Sequence, residues 1–357
     1  MKIKSISPVC VHIPTRIGNE LYQYNFIKIQ TEEGMVGWGE AFGYISWKPV
    51  KVAIEEMIIP FLKGKEINTV NDILKISNEI QKKLHIFGRY GITIYALSGV
   101  EIGLWDALGK EKKLPIYKML GNKNKDEFFA YASLLRYSDD KKIENKCNEV
   151  LQNNFKIIKL HEIKENNIEL ARKFVGDNIQ LMTDVNCEWS YDEVINKKSF
   201  FDKINLYWLE EPIFPPENFR DLSLLKEKLG TSIAIGENAC TEWEFKKIMD
   251  SNAADYIQPS VIKVGGIGEM MKIIKLAESY KVSVMPHSAY SGPGFLATLH
   301  LASQIQTETY IEKYYLDLVE DFYPEFKYPD KNGKFKLPNL PGLGFDLNEK
   351  LLRKYQV

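Results

Sequence analysis

Lys159, His161, Asp184, Glu210, Glu237, His287 and Glu312 are the residues of this chain whose types and spacing could do chemistry together. Each lies in or at the end of a short apolar run: Phe155 to His161, Ile179 to Asp184, Leu206 to Glu210, Ser232 to Glu237, Val282 to His287 and Tyr310 to Glu312. Side chains alternate along a strand, so Lys159 and His161 share one face while Leu160 takes the other. Taken alone, that stretch reads as the basic end of a buried strand. The acids that follow point elsewhere. Asp184, Glu210 and Glu237 close three successive runs, and three negative charges in one concave site repel unless a cation lies between them. An independent role in capping the next helix explains any one of them, but poorly explains three in a row. Oxygen-only ligands favour a hard divalent ion, and Mg²⁺ keeps positions open for substrate oxygens. Asn186 and Asn238, beside two of these run ends, add neutral donors. A metal flanked by Lys159 and His161 on one side and His287 across the ring suits one task, removal of a proton next to a carboxylate. His12, His85 and His300 have no such company and read as ordinary polar residues.

These residues need a scaffold that brings run ends together. With Phe129 to Leu135 as the first run and Asp255 to Ser260 in the series, the count is eight, recurring roughly every 25 residues, the length of one strand, one helix and two loops. Eight such units close a parallel barrel, whose active sites lie at the carboxyl ends of the strands. Upstream, Lys2 to Ile13 alternates as an edge strand, and Asn25 to Thr31 with Met35 to Glu40 flank Glu32-Glu33-Gly34 as a hairpin. Thr15 to Tyr24, with Gly18, reads as a mobile loop. The pattern is helical from Val50 to about Leu84, and Leu97, Val100, Leu104 and Leu108 form the stripe of an amphipathic helix stopped by Gly109. After Glu312 a Pro- and Gly-rich tail, Leu337-Pro338 to Gly344-Phe345, is expected to fold back on the cap. The fold expected is α/β: a modified TIM (β/α) barrel over residues 126–335, with an N-terminal α+β capping domain over 1–125 completed by 336–357.

Composition narrows the partners. A net charge of −1 over 357 residues gives no basic excess for nucleic acid or anionic membrane, so a small molecule is expected. The four cysteines lack any CxxC spacing, and zinc through cysteine is not indicated. No apolar stretch reaches 18 residues and the first residues enter a strand pattern rather than a signal peptide, so a cytoplasmic protein is expected.

The chain resembles the enolase superfamily, mandelate racemase-like subgroup, over nearly its whole length. The residues that carry the resemblance are Gly37-Trp38-Gly39-Glu40, Ser98 through Asp106, Glu210-Glu211-Pro212, Gly236-Glu237-Asn238, Lys263-Val264-Gly265-Gly266, and Leu337-Pro338 with Pro341 through Gly344. The resemblance implies Mg²⁺ on Asp184, Glu210 and Glu237, an enediolate intermediate, and a homo-oligomer. It implies that Glu312 hydrogen-bonds a substrate carboxylate oxygen, and that loops near Arg16 to Tyr24, Tyr22 included, and Tyr44 to Trp47 select the substrate. Two departures stand out. His161 occupies the place of the second lysine of a KxK motif, and Ser260 replaces the aspartate that pairs with the histidine of the seventh strand. A serine can hydrogen-bond His287 but cannot raise its basicity as a carboxylate does. Lys263, three residues on, reads as structural. Lys159 beside His161, with Mg²⁺ acting in the same direction, is expected to keep that imidazole neutral, facing the substrate opposite His287. An unequal pair of bases fits dehydration of a sugar acid to a 2-keto-3-deoxy acid better than a symmetric racemisation. Racemisation, epimerisation or cycloisomerisation through the same intermediate, and a barrel that binds a sugar acid without turnover, are the alternatives.

Overall fold

In the computed structural model, which describes residues 1–16, 20–121 and 124–357, the alternating start of the chain forms an antiparallel sheet. Its strands are β1 (Ile3–Pro14), β2 (Leu21–Thr31) and β3 (Val36–Ala41), in that order. The loop expected over Thr15 to Tyr24 is shorter than that: β2 already begins at Leu21, opposite Pro14, and Tyr22 and Tyr24 face Ile13 and Val11 across the ladder. Gly18 lies outside the described residues. The signal for the longer strand was an aromatic at every second position, since Tyr24 packs its ring 4.7 Å from Tyr22 and 4.9 Å from Phe26.

The helix Gly91–Lys112 differs from its expected form in both length and character. It runs through Gly109, and every residue from Ala96 to Gly109 is buried, so it is the covered centre of the cap rather than an amphipathic surface helix. Glycines make the covering possible. A Cβ on Gly39 of β3 would lie 1.9 Å from the Gly99 carbonyl oxygen, so sheet and helix meet backbone to backbone. A buried polar edge then ties the helix to the rest of the chain. Ser98 accepts from the Gly265 N–H (2.8 Å), Glu101 from Ile267 and Gly268 (2.7 and 2.9 Å), and Asp106 from Trp38 and Leu343 (2.8 Å each). The tail thus packs against the cap, and Val357 closes it by donating to the Cys10 carbonyl at 3.0 Å.

Eight parallel strands follow: β4 (Glu127–Ser133), β5 (Ile157–Leu160), β6 (Gln180–Asp184), β7 (Leu209–Glu210), β8 (Ile233–Ile235), β9 (Tyr256–Ile257), β10 (Ser283–Val284) and β11 (Ile311–Tyr314). They pair in the order β10-β9-β8-β7-β6-β5-β4-β11, with β12 (Lys334–Lys336) antiparallel to β4. Between β10 and β11 side chains bridge the seam. Thr309 donates its hydroxyl to the Val284 carbonyl (2.9 Å), and Ser288 donates its own to the Glu312 carbonyl (2.7 Å). Tyr131, Ile157, Met182, Trp208, Ala234, Met285 and Tyr310, with Tyr256 packed against them, fill the interior as one apolar layer.

Gly39→Ala is expected to destabilise the protein by at least about 1–3 kcal/mol, the usual range for overpacking, because neither backbone can retreat. Urea unfolding measures it; an unchanged midpoint would mean that sheet and helix are not in this close contact.

Candidate active site

Adding two residues to each member of the interior apolar layer reaches the barrel mouth. Tyr131 leads to Ser133, Ile157 to Lys159, Met182 to Asp184, Trp208 to Glu210, Ala234 to Gly236, Tyr256 to Gln258, Met285 to His287 and Tyr310 to Glu312. Strand alternation therefore stacks a ring of polar side chains on the apolar plug. At the one gap, Gly236 (φ +125°), the next residue, Glu237, leans in.

The ring is tightly paired. Lys159 is fully buried, with Nζ 2.5 Å from Glu210, 2.8 Å from Glu312 and 3.8 Å from Asp184. Asp184, Glu210 and Glu237 each offer an oxygen within 4.8 Å of the others. His161 Nε2 lies 3.2 Å from Asp184, and its Nδ1 contacts the Leu134 carbonyl. Across the mouth, His287 Nε2 lies 2.9 Å from Glu237 and 4.0 Å from Glu312. The imidazoles thus flank the carboxylates on two sides. Two buttresses hold the acids: the Trp208 indole donates to Glu210 (2.8 Å), and Asn186 donates its backbone and side-chain N–H to Asp184 (2.8 and 3.2 Å).

Burial and mutual repulsion push the Glu210 carboxyl up to about 7 despite its lysine. Burial opposes ionisation of Glu237 and Glu312 too. The His287 imidazole with the Lys263 and Lys159 ammoniums outweighs it at Glu237, and Lys159 with His287 and the Ser288 N–H at Glu312, so both are held below the usual carboxylate range. Three buried carboxylates and the half-buried Glu237 around one lysine leave negative charge uncompensated, and the donor set is oxygen only. That combination fits a hard divalent cation held by Asp184, Glu210 and Glu237.

The geometry also gives each of the other expected site residues its surroundings. His161 is expected to stay neutral beside Lys159 and a cation; burial favours that, but the Asp184 carboxylate, by its hydrogen bond and its charge together, and the Leu134 carbonyl raise the imidazole above its ordinary value. Glu312 is ion-paired with Lys159 at 2.8 Å and accepts from the Ser288 N–H at 2.8 Å, so both of its oxygens face groups of the site. Ser260 does not bond His287; its hydroxyl donates to the Tyr290 hydroxyl at 3.4 Å. Asn238 is exposed and lines an outer cavity with Tyr90, Glu211, Pro216 and Glu244. Arg16 donates to the Leu318 and Val319 carbonyls (3.1 Å each) and pairs with Asp317 at 3.4 Å. Tyr22 donates its hydroxyl to the Ala289 carbonyl at 3.1 Å. Lys263 lies over the Phe42 ring, 5.0 Å from its centre.

Ser133 and Gln258 are ring members that the sequence reading missed. Both are fully buried, and neither the Ser133 hydroxyl nor the Gln258 amide has a hydrogen-bond partner among the described residues. Counting two residues on from an inward-facing aromatic would have found them. Glu211 was also passed over: it is buried, at φ +42°, and accepts from the Gly236 N–H at 2.8 Å, fixing the turn that presents Glu237.

Comparison with known proteins agrees with this architecture. Residues 4–121 match the mandelate racemase / muconate lactonizing enzyme N-terminal domain, and residues 142–351 match the enolase C-terminal domain-like family. The chain is 32% identical over 342 residues to the arabinonate dehydratase of Saccharolobus solfataricus, covering 92% of this chain and 89% of that protein. It is 30% identical over 367 residues to the D-xylonate dehydratase of Haloferax volcanii, covering 94% and 86%. Among solved structures, the 3,6-anhydro-D-galactonate cycloisomerase from Zobellia galactanivorans superposes with a TM-score of 0.89 at 26% identity over the whole of both chains. From its capping sheet to its polar ring, the chain belongs to the enolase superfamily, in the mandelate racemase and muconate lactonizing branch.

Proposed function

We propose that the protein is a Mg²⁺-dependent dehydratase of a sugar acid, a hydro-lyase that removes the proton α to a carboxylate and expels the β-hydroxyl. The observation that carries this reading is the ring itself, with Lys159 inside a carboxylate cluster and an imidazole on either side. The similarity to arabinonate and D-xylonate dehydratases supports the substrate class. Bound at Asp184, Glu210 and Glu237, Mg²⁺ would supply the positive charge that makes an α-proton acidic enough for imidazole. Lys159 adds a second, fixed positive charge on the same substrate oxygens as negative charge develops there. One of His161 and His287 takes the α-proton; the other gives a proton to the departing hydroxyl, so that water leaves and an enol remains. That enol tautomerises to the 2-keto-3-deoxy acid. Ser133 and Gln258 offer neutral hydrogen-bonding groups for substrate oxygens, and the apolar plug beneath the ring keeps water from below.

The likeness to a cycloisomerase favours a second reading, proton abstraction without loss of water, on the same residues. No helix among the described residues is long and apolar enough to cross a membrane. The four cysteines are all unpaired, which suits a reducing cytoplasm. A homo-oligomer completes the proposal.

Three outcomes test it. Saturating Mg²⁺ should raise the melting temperature by a few degrees, since ligand at 100 times Kd stabilises by about 2.7 kcal/mol, and Asp184→Asn should abolish the shift. An identical shift in that variant would remove Asp184 from the ligand set. Lys159 is buried in its ion pairs rather than free at the mouth, so Lys159→Ala should cost stability as well as turnover. Without divalent ions the expected loss is about 3–5 kcal/mol, and Mg²⁺ should recover part of it. Finally, a sugar-acid screen in D₂O should yield a 2-keto-3-deoxy product, with His161→Asn and His287→Asn each slower by about 10²–10⁴-fold. The variant that still exchanges the α-proton has lost the acid; wild-type exchange without elimination would replace the dehydratase by an epimerase.

A further inference from the structure

His287 meets Glu237 at Nε2 but lacks a side-chain partner at Nδ1, the edge away from the carboxylates. Its Nδ1 is buried without a hydrogen-bond partner among the described residues, and Ser260 turns its hydroxyl to Tyr290 instead. The backbone that carries it is nevertheless held from several directions. The Tyr290 hydroxyl, 3.4 Å from Ser260 Oγ and 3.2 Å from Thr298 Oγ1, donates to the His287 carbonyl at 3.0 Å. On the barrel side, the Ser288 N–H and hydroxyl bind the Glu312 carboxylate and carbonyl at 2.8 and 2.7 Å. The cap supplies the rest. Tyr22 donates to the Ala289 carbonyl at 3.1 Å, and Glu40 accepts from the Gly294 N–H at 2.9 Å. The approach is close enough that a Cβ on Gly292 would lie 2.5 Å from Glu40 Oε2 and 2.6 Å from the Phe26 ring. Cap residues about 250 positions earlier in the chain therefore fix the segment on which the imidazole sits.

We propose that residues 287–294 form a clamp through which the cap sets the position of His287, with Tyr290 and Tyr22 as positioning residues in place of a side-chain orienter at Nδ1. The proposal rests on reading His287 as a catalytic imidazole. A ring with no side-chain partner at Nδ1 depends more on its own backbone for its place, and misplacement of a reacting group by about 1 Å can cost about 10²-fold in rate. Removing either tyrosine hydroxyl frees one carbonyl of the segment without changing packing volume. The effect belongs in the chemical step, whereas a tyrosine that merely touched substrate would show itself in binding.

The test uses Tyr22→Phe and Tyr290→Phe in the full chain, with two readouts. On the substrate found in the sugar-acid screen, kcat is expected to fall about 10–100-fold with KM within about twofold, while the thermal shift with Mg²⁺ stays at the wild-type value. In histidine-labelled protein the five imidazoles give few resonances, and the one lost in His287→Asn should move or split in both tyrosine variants while those of His12 and His85 stay in place. An unmoved His287 resonance with unchanged kcat overturns the clamp. So does a loss confined to KM, which would make Tyr22 a substrate contact, or a loss confined to thermal stability. Should the wild type turn over no sugar acid, the dehydratase reading fails by itself, and the resonance of His287 still decides whether the clamp exists.

Discussion

A lysine ammonium with no exposure to water, 2.5 Å from one carboxylate and 2.8 Å from another, is the constraint on which the rest of this structure depends. Taking such a charge out of water costs several kcal/mol, and the attraction offsets the cost only where the geometry is tight and the remaining lone pairs are satisfied. Glu210 and Glu312 supply the tightness. The Trp208 indole and the Ser288 N–H satisfy the spare oxygens. The same arrangement overshoots, because Asp184 and Glu237 add negative charge that one lysine cannot balance. A site built this way is poised for a divalent cation and for a substrate whose own charge grows during reaction.

The barrel delivers that concentration of charge through strand alternation alone. Each inward residue of the apolar layer is followed two positions later by a member of the ring, so the plug that stabilises the barrel also sets the height of the chemistry. The cap then acts at a distance. Its central helix is anchored to the barrel by Ser98 and Glu101 and to the tail by Asp106, and β2 and β3 reach the segment after β10 through Tyr22 and Glu40. Cap and barrel therefore share buried polar contacts, not only a hydrophobic seam. In this account the missing aspartate, replaced by Ser260, is offset through the backbone rather than through the ring.

Much of this was legible in the sequence. The period of about 25 residues and the chemistry at the run ends were enough to infer the barrel and its carboxylates, because alternation and βα spacing are local properties. What escaped was set by tertiary contact. Tyr22 looked like part of a substrate loop, yet its hydroxyl is taken by Ala289, more than 260 residues away. The stripe from Leu97 to Leu108 suggested a helix with one wet face, and only tertiary contacts on several sides, β3 at the glycines and the backbone at Gly265, Ile267 and Leu343, explain why every face is dry. His161 was weighed against Lys159 and a cation, and its own hydrogen bond to Asp184, which acts the other way, appears only in the folded site. Gln258 and Ser133 carry no charge and so drew no notice, although the same two-residue step that gives Asp184 gives them as well.

The central claim is that Asp184, Glu210 and Glu237 share one divalent cation beside Lys159. The most direct measurement is an anomalous difference map from crystals grown with Mn²⁺, which takes the same oxygen ligands as Mg²⁺. The account predicts one peak touching an oxygen of each of the three carboxylates, with Lys159 next to it. A map with no peak there, or with the ion bound elsewhere and the three carboxylates turned apart, would contradict it.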